Sequence, residues 1–311
     1  MKSKLLDLIR SNNQRSISKT ITQIESGVSF SNSFYDKIFQ LSNNSIRIGI
    51  TGPPGAGKST LTDQLINEYL KLNKSVGVIA IDPSSPFTGG ALLGDRIRMN
   101  NYLWNDNVFI RSMGTRGELG GLSKKTKDIG DILAASGKDI IIYETVGVGQ
   151  GEHDIVKEAD ITIVVLVPES GDEIQLMKAG IIEIGDLFVI NKSDRDGSNK
   201  LAQSLINILH TFTKKDKYEP EVFLTSADRN KGIKELFYGI NNIVDKFFID
   251  DIINKKRNKR FKKRVHSIVE ESLLNKFWTN EKMDILNQSI ENLEVFSKSP
   301  QEIARSLLKQ K

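Results

Sequence analysis

The sequence predicts an α/β fold, a doubly wound and mainly parallel sheet with helical extensions at both ends. Three observations carry this. Short apolar runs rich in β-branched residues recur at 45–50, 76–81, 108–110, 140–143, 161–167, 187–190 and 222–225. Their continuity, without polar alternation, is the pattern of strands buried on both faces. Glycine-rich turns and amphipathic stretches separate them, and strand–helix alternation implies a parallel sheet. Before this core, residues 1–44 contain no proline and show helix faces at Leu5, Leu6 and Ile9, then at Ile17, Ile21 and Ile24. After Gly232 the pattern is helical to the end, with Pro300 the first proline. Three regions are therefore expected: a helical extension 1–44, the α/β domain 45–239, and a helical arm 240–311. The arm is too extended and polar for an independent core, so it is expected to pack on the α/β domain or on another copy of the chain.

Composition narrows the function classes. Of 311 residues, 38% are hydrophobic and 27% charged, which is ordinary material for a globular core. Cysteine is absent, which excludes disulfides, thiolate metal sites and a thiol nucleophile. A net charge of +5 selects no partner without a concentrated patch. No apolar run approaches a membrane span, and the N-terminus lacks the apolar region and cleavage site of a signal peptide. A cytoplasmic protein with no membrane association is expected.

The richest motif follows the first core strand. Gly52-Pro53-Pro54-Gly55-Ala56-Gly57-Lys58-Ser59 matches G-x-x-x-x-G-K-[ST] in full, and a helix continues from Thr60. Strand, loop and helix together are the context this phosphate-binding loop requires. Glycines let backbone N–H groups approach phosphates at a helix N-terminus that favours anions. Lys58 is expected on the β- and γ-phosphates and the Ser59 hydroxyl on Mg²⁺. Acids lie at predicted strand ends: Asp82 after 78–81 and Glu144 after 140–143, with Asp95 in the loop Gly94-Asp95-Arg96. Mg²⁺ takes one or two such carboxylates with waters and phosphate oxygens. A helix cap or Asx-turn before Pro83 is the competing reading for Asp82, and a surface acid for Asp95. Glu144-Thr145-Val146-Gly147 is similar to the D-x-x-G switch of GTPases with Glu for Asp, and the Gly147 N–H would meet the γ-phosphate.

A base-reading segment follows. Asn191-Lys192-Ser193-Asp194 directly succeeds the apolar run 187–190. Guanine presents N1–H and its exocyclic amine side by side, and the Asp194 carboxylate can accept from both. Adenine would leave that carboxylate unpaired. Asn191 can bond the base or brace the loop, and the Lys192 stem can lie along the ring. Thr225-Ser226-Ala227 can supply a backbone N–H to the guanine oxygen. Phosphate loop and N-K-x-D in this order favour GTP over ATP.

These residues, with longer stretches, resemble the MeaB/ArgK family of GTPases, chaperones of cobalamin-dependent acyl-CoA mutases. The matching stretches are 81–99, Thr115-Arg116-Gly117-Glu118-Leu119-Gly120-Gly121-Leu122-Ser123, Glu144-Thr145-Val146-Gly147-Val148-Gly149-Gln150, and Ser170-Gly171-Asp172-Glu173 through Gln175 and Lys178. Ile21-Thr22-Gln23-Ile24-Glu25-Ser26-Gly27 is also family-like. The resemblance covers residues 5 to about 240 well. It implies a parallel-sheet GTPase core, a C-terminal arm forming a homodimer, GTP or GDP with Mg²⁺ near Ser59, Asp82, Asp95 and Glu144, and a partner mutase whose cofactor loading is gated by hydrolysis. Lys178 would match a lysine that moves toward the nucleotide when the mutase activates hydrolysis.

Two departures matter. Val148 stands where Ras-like enzymes place the water-orienting glutamine, and Gln150 lies two residues further. Slow intrinsic hydrolysis that a partner accelerates is the expectation. Glu169 and Glu173 stand where the family commonly has glycine and aspartate, in a loop that stays acidic. The basic run Lys255-Lys256-Arg257-Asn258-Lys259-Arg260-Phe261-Lys262-Lys263-Arg264 reads as one charged helix face, because no nucleic-acid motif accompanies it. His153 beside Glu152 and Asp154 reads as one turn of polar helix. Arg96, Arg98 and Arg116 could touch phosphate or pair within their loops. A P-loop kinase or ATPase and a nickel-type metal-insertion GTPase are the alternatives. Asn191–Asp194 count against the first, and the missing Cys and His cluster against the second.

Overall fold

A computed structural model describes residues 2–82, 101–102, 104–114, 119–145, 147, 157–169, 181–213, 218–291 and 299–309. It divides the chain into two compact units, 1–251 and 252–311.

The first unit is built on a seven-stranded sheet: β1 (Ile46–Thr51), β2 (Val76–Asp82), β3 (Val108–Gly114), β4 (Ile140–Thr145), β5 (Ile161–Leu166), β6 (Leu187–Ile190) and β7 (Glu221–Leu224). The spatial order is β3-β2-β4-β1-β5-β6-β7, and each adjacent pair is parallel. The chain lays strands on one side of β1 up to β4 and on the other from β5 onward. β1 is thus central, and its carboxyl end lies where ligands of doubly wound sheets bind. Every residue of β4, β5 and β6 is buried, as expected for strands covered on both faces.

One face carries the N-terminal helices α1 (Lys2–Arg10), α2 (Gln14–Glu25) and α3 (Asn32–Leu41) together with α5 (Leu119–Ala135). Leu6, Ile9, Ile17, Ile21, Ile24, Phe34 and Ile38 share a core with Ile129, Ile132, Leu133, Ile141 and Tyr143. The extension 1–44 is therefore part of the α/β core's own packing. Asn13 caps α2, accepting from the Ser16 N–H at 2.9 Å. The extension is also pinned at the amino ends of the strands. The Asp106 carbonyl accepts from Asn12 Nδ2 at 2.8 Å and Lys138 Nζ at 2.7 Å, with Gln14 Nε2 at 3.3 Å. α4 (Lys58–Lys71), α7 (Ser198–Phe212) and α8 (Ile233–Ile249) complete the unit, with the short α6 (Ile181–Ile184) before β6. Leu201, Leu205 and Leu209 of α7 pack on Val164, Phe188 and Ile190.

Two boundaries differ from the sequence reading. β3 runs to Gly114, beyond the apolar run that ends at Ile110. It is an edge strand, and Arg111 leaves the sheet to pair with Glu25 and to donate to Thr22 Oγ1 at 3.1 Å. The expected junction at 239/240 falls inside α8, and the units divide at 251/252 instead. Phe237, Ile240, Ile243 and Phe247 give α8 one continuous buried face, which keeps it whole within the first unit.

The second unit contains α9 (Ile252–Phe277), α10 (Asn280–Glu291) and α11 (Pro300–Lys309). Thr279 caps α10 through the Lys282 N–H at 3.3 Å. Phe261, Val265, Ile268, Val269, Leu273 and Leu274 of α9 are exposed. No helix among the described residues is long and apolar enough to cross a membrane.

Candidate nucleotide site

β1 delivers the chain into the phosphate loop at Gly52. Its φ is +145°, and a Cβ there would lie 2.0 Å from the Val165 carbonyl oxygen of β5. Only glycine fits so close to a neighbouring backbone. The loop ends at Gly57, left-handed at φ +83°, where a Cβ would lie 2.3 Å from Asn191 Nδ2. Two glycines of the motif thus answer to two different neighbours, the sheet and the N-K-x-D segment.

α4 begins at Lys58, so its unpaired amide groups and positive dipole end face the loop. Lys58 is buried, and its Nζ donates to the Gly52 and Pro53 carbonyls at 2.8 Å each. The ammonium therefore spans the mouth of the loop, within reach of an anion seated there. Beside it, the Ser59 hydroxyl donates to Glu144 Oε1 at 2.5 Å. These groups line a cleft of about 430 Å³ that also takes in Pro54, Thr60, Thr145 and Lys192, a volume in the range of small-molecule sites.

Ser59 and Glu144 bring together two hard oxygen ligands, the chemistry Mg²⁺ requires. Of the other expected ligands, Asp82 ends β2, one residue beyond the level at which Ile81 pairs with Thr145. The Asp82 side chain and Asp95 lie outside the described residues, and so do Val148, Gln150, His153, Lys178, Arg96, Arg98 and Arg116. Among the described residues no group of three or more His, Cys, Asp or Glu is gathered. Gly147 is placed: its carbonyl accepts from Thr51 Oγ1 at 3.0 Å and Thr145 Oγ1 at 3.1 Å. The chain leaving β4 is thereby fastened to the end of β1.

The N-K-x-D segment 191–194 follows β6 and meets the loop after β7. Asn191 is buried. One Nδ2 N–H donates to the Ala56 carbonyl at 2.8 Å, while Oδ1 accepts from Thr225 Oγ1 at 3.0 Å and the Ala227 N–H at 3.1 Å, so the amide braces these loops. One side chain thus joins the phosphate loop, the N-K-x-D segment and the loop after β7. Of the 225–227 N–H groups that could meet a base oxygen, that of Ala227 donates to Asn191 and would serve a base as a shared donor. Lys192 takes the left-handed conformation at φ 56° and lines the cleft. Such strain in a non-glycine residue persists where the surroundings impose it. Asp194 accepts from Ser226 Oγ at 2.9 Å and pairs with Arg229 Nη2 at 3.0 Å. The Ser226 hydroxyl, followed by the Asp194 backbone and the charges of Arg229 and Arg195, holds this carboxyl below its usual range. It is ionised at neutral pH and ready to accept.

Gln64 of α4 donates to the Ala227 carbonyl at 3.0 Å, tying the helix after the phosphate-loop motif to the loop after β7. Gln64 and Arg229 carry no signal in the sequence, because their partners lie tens of residues away. Only the folded sheet makes them neighbours.

Comparison with known proteins agrees with this geometry. The family model for the methylmalonyl-CoA mutase-associated GTPase MeaB matches residues 17–282. A putative GTPase of Pyrococcus abyssi is 46% identical over 272 residues, covering 86% of this chain and 84% of that protein. The GTPase ArgK of Escherichia coli is 34% identical over 290 residues, covering 89% and 86%. The crystal structure of an LAO/AO transport system kinase superposes with a TM-score of 0.71 at 26% identity, covering 99% of this chain and 96% of that one. A phosphate-loop motif folded at the end of β1 and a family match over most of the chain converge: the protein is a GTPase and belongs to the MeaB family.

Proposed function

We propose that this GTPase is a chaperone of a cobalamin-dependent acyl-CoA mutase such as methylmalonyl-CoA mutase, gating cofactor loading and protecting the loaded enzyme. The observation that carries the reading is the switch after β4. Glu144 is held on Ser59 and Gly147 on Thr51, yet Val148 stands where a water-orienting glutamine would be needed for fast turnover. The family description, which names association with methylmalonyl-CoA mutase, supports the partner class.

In this reading the loop Gly52, Pro53, Pro54, Gly55, Ala56, Gly57, Lys58, Ser59 and Thr60 cradles the phosphates. Lys58 exchanges its two carbonyl partners for β- and γ-phosphate oxygens, a trade of neutral acceptors for charged ones. Mg²⁺, held by Ser59 and Glu144 with Asp82 and Asp95, would neutralise phosphate charge as it develops. Asp194 reads guanine, Lys192 flanks the ring, and Asn191, Ser226 and Ala227 hold the base loop in register. Lys178 is the residue proposed to move in when the partner docks. The C-terminal arm is proposed to join two copies through the exposed apolar residues of α9, and the protein to work in the cytoplasm without nucleic acid or membrane.

The test is nucleotide-dependent complex formation with methylmalonyl-CoA mutase, followed by light scattering after size exclusion. A complex whose stability differs between GDP and a non-hydrolysable GTP analogue supports the reading. Failure to associate in either state, with other cobalamin-dependent acyl-CoA mutases also tried, removes it.

A further inference from the structure

An ionised carboxylate offers about four acceptor positions, two on each oxygen. At Asp194 one position on Oδ1 is filled by the Ser226 hydroxyl at 2.9 Å, and one on Oδ2 by Arg229 Nη2 at 3.0 Å. The residue's own backbone N–H also bonds the carboxylate, and the lone pairs that remain are those a base can use. Guanine presents a matching pair of donors, N1–H and the exocyclic amine. Ser226 and Arg229, which reach the two oxygens from outside the residue, therefore help set which way the carboxylate faces.

Both come from a single turn. The Arg229 N–H donates to the Ser226 carbonyl at 3.0 Å, and Lys231 and Ser226 exchange hydrogen bonds at 3.1 and 3.0 Å. Asn230 closes the turn in the left-handed conformation at φ 53°. Gln64 fixes the turn to α4 through the Ala227 carbonyl at 3.0 Å. Arg229 is consequently aimed by backbone geometry and not by its own packing: its side chain is 65% exposed, against 25% for Asp194.

We infer that Arg229 is a positioning residue for guanine selectivity: with Ser226 it holds the Asp194 carboxylate, one contact per oxygen, in the orientation that accepts from the base. This rests on Asp194 reading guanine. Loss of the clamp harms a base with two adjacent donors more than one with a single donor. Hypoxanthine, which lacks the exocyclic amine, is the single-donor comparison. Because the pair is exposed, the effect is moderate and sensitive to salt.

The experiment measures binding of fluorescent GDP, IDP and ADP to the wild-type protein, Arg229→Ala and Arg229→Lys, at low and high ionic strength. Arg229→Ala is expected to weaken GDP by about two- to fivefold at low salt and IDP less, narrowing the GDP-to-IDP ratio. Arg229→Lys restores part of that ratio, and high salt erases the difference. In an Asp194→Asn background the Arg229→Ala change is expected to leave binding of xanthosine diphosphate unaltered, because the charge it answers is gone. Equal losses for GDP and IDP, an unchanged GDP affinity, or the same loss in the Asp194→Asn background would each overturn the clamp. Wild-type protein that binds ADP as tightly as GDP would instead remove the guanine reading beneath it.

Discussion

Asn191 shows how much one side chain can hold. It sits where the sequence allows either a contact with the base or a brace, and its three hydrogen bonds go to Ala56, Thr225 and Ala227. Asn191→Ala strands the buried Thr225 hydroxyl and Ala227 N–H without their acceptor. The expected loss is about 2 kcal/mol or more, read from urea unfolding of the nucleotide-free protein, with weaker GDP binding beside it. An unchanged unfolding midpoint would mean that the loops hold their register without the brace. At this scale the sequence was informative about chemistry and blind to wiring. Lys58, Ser59, Glu144 and Asp194 are legible because their chemistry needs those residue types after a strand. Arg229 and Gln64 are illegible because a surface arginine and a helix glutamine have no local signature, and their partners are set by the sheet.

Between elements, the clearest device is the buried cation of β1. Arg47 pairs with Asp131 of α5, and its N–H donates to Asp160 Oδ2 at 3.1 Å. Burial opposes its charge, but Tyr143, Asp131 and Asp160 outweigh that and hold the guanidinium above its ordinary range. The pair locks α5 to the strand that feeds the phosphate loop. Asp131→Ala leaves much of that charge uncompensated, and a loss of about 3 kcal/mol is expected, measured by denaturant midpoint. A loss no greater than that of a surface substitution would show that Asp160 suffices alone. Strands are the elements the sequence discloses best, since β4, β5 and β6 are mostly apolar and buried on both faces. The polar end of β3 is not disclosed, because an edge strand satisfies Arg111 sideways through Glu25. The end of the first unit was misplaced for a related reason: α8 carries its apolar face through position 240 without a break.

For the whole molecule, the N-terminal helices raise a question of pH. Lys138 is buried where they meet the loop before β3, and burial pushes its ammonium down to about 8, against smaller opposing effects of Asp106 and Asp139. The unfolded chain keeps the ordinary value of 10.5. Between about pH 8 and 10.5 the unfolded chain therefore holds a proton the folded chain has lost, and this group's contribution to stability rises with pH. Below pH 8 both states are protonated and the full penalty, about 3 kcal/mol, is present. Lys138→Met removes that dependence. Wild type should gain on the variant as pH rises from 8 to 10 in paired urea titrations, and parallel curves would show the ammonium to be solvated. Such a coupling was beyond the sequence, in which Lys138 is one of many lysines between a helix and a strand.

The molecule as a whole is a GTPase whose switch segment lacks an adjacent glutamine, and in the proposed function a partner decides when GTP is cleaved. Single-turnover hydrolysis of GTP by the purified protein, alone and with a cobalamin-dependent acyl-CoA mutase, tests this most directly. The expected result is slow cleavage alone and at least about tenfold faster cleavage with the mutase, in keeping with the scale of partner-activated GTPases. Cleavage by the protein alone on the order of 10 s⁻¹, unchanged by the mutase, would contradict it.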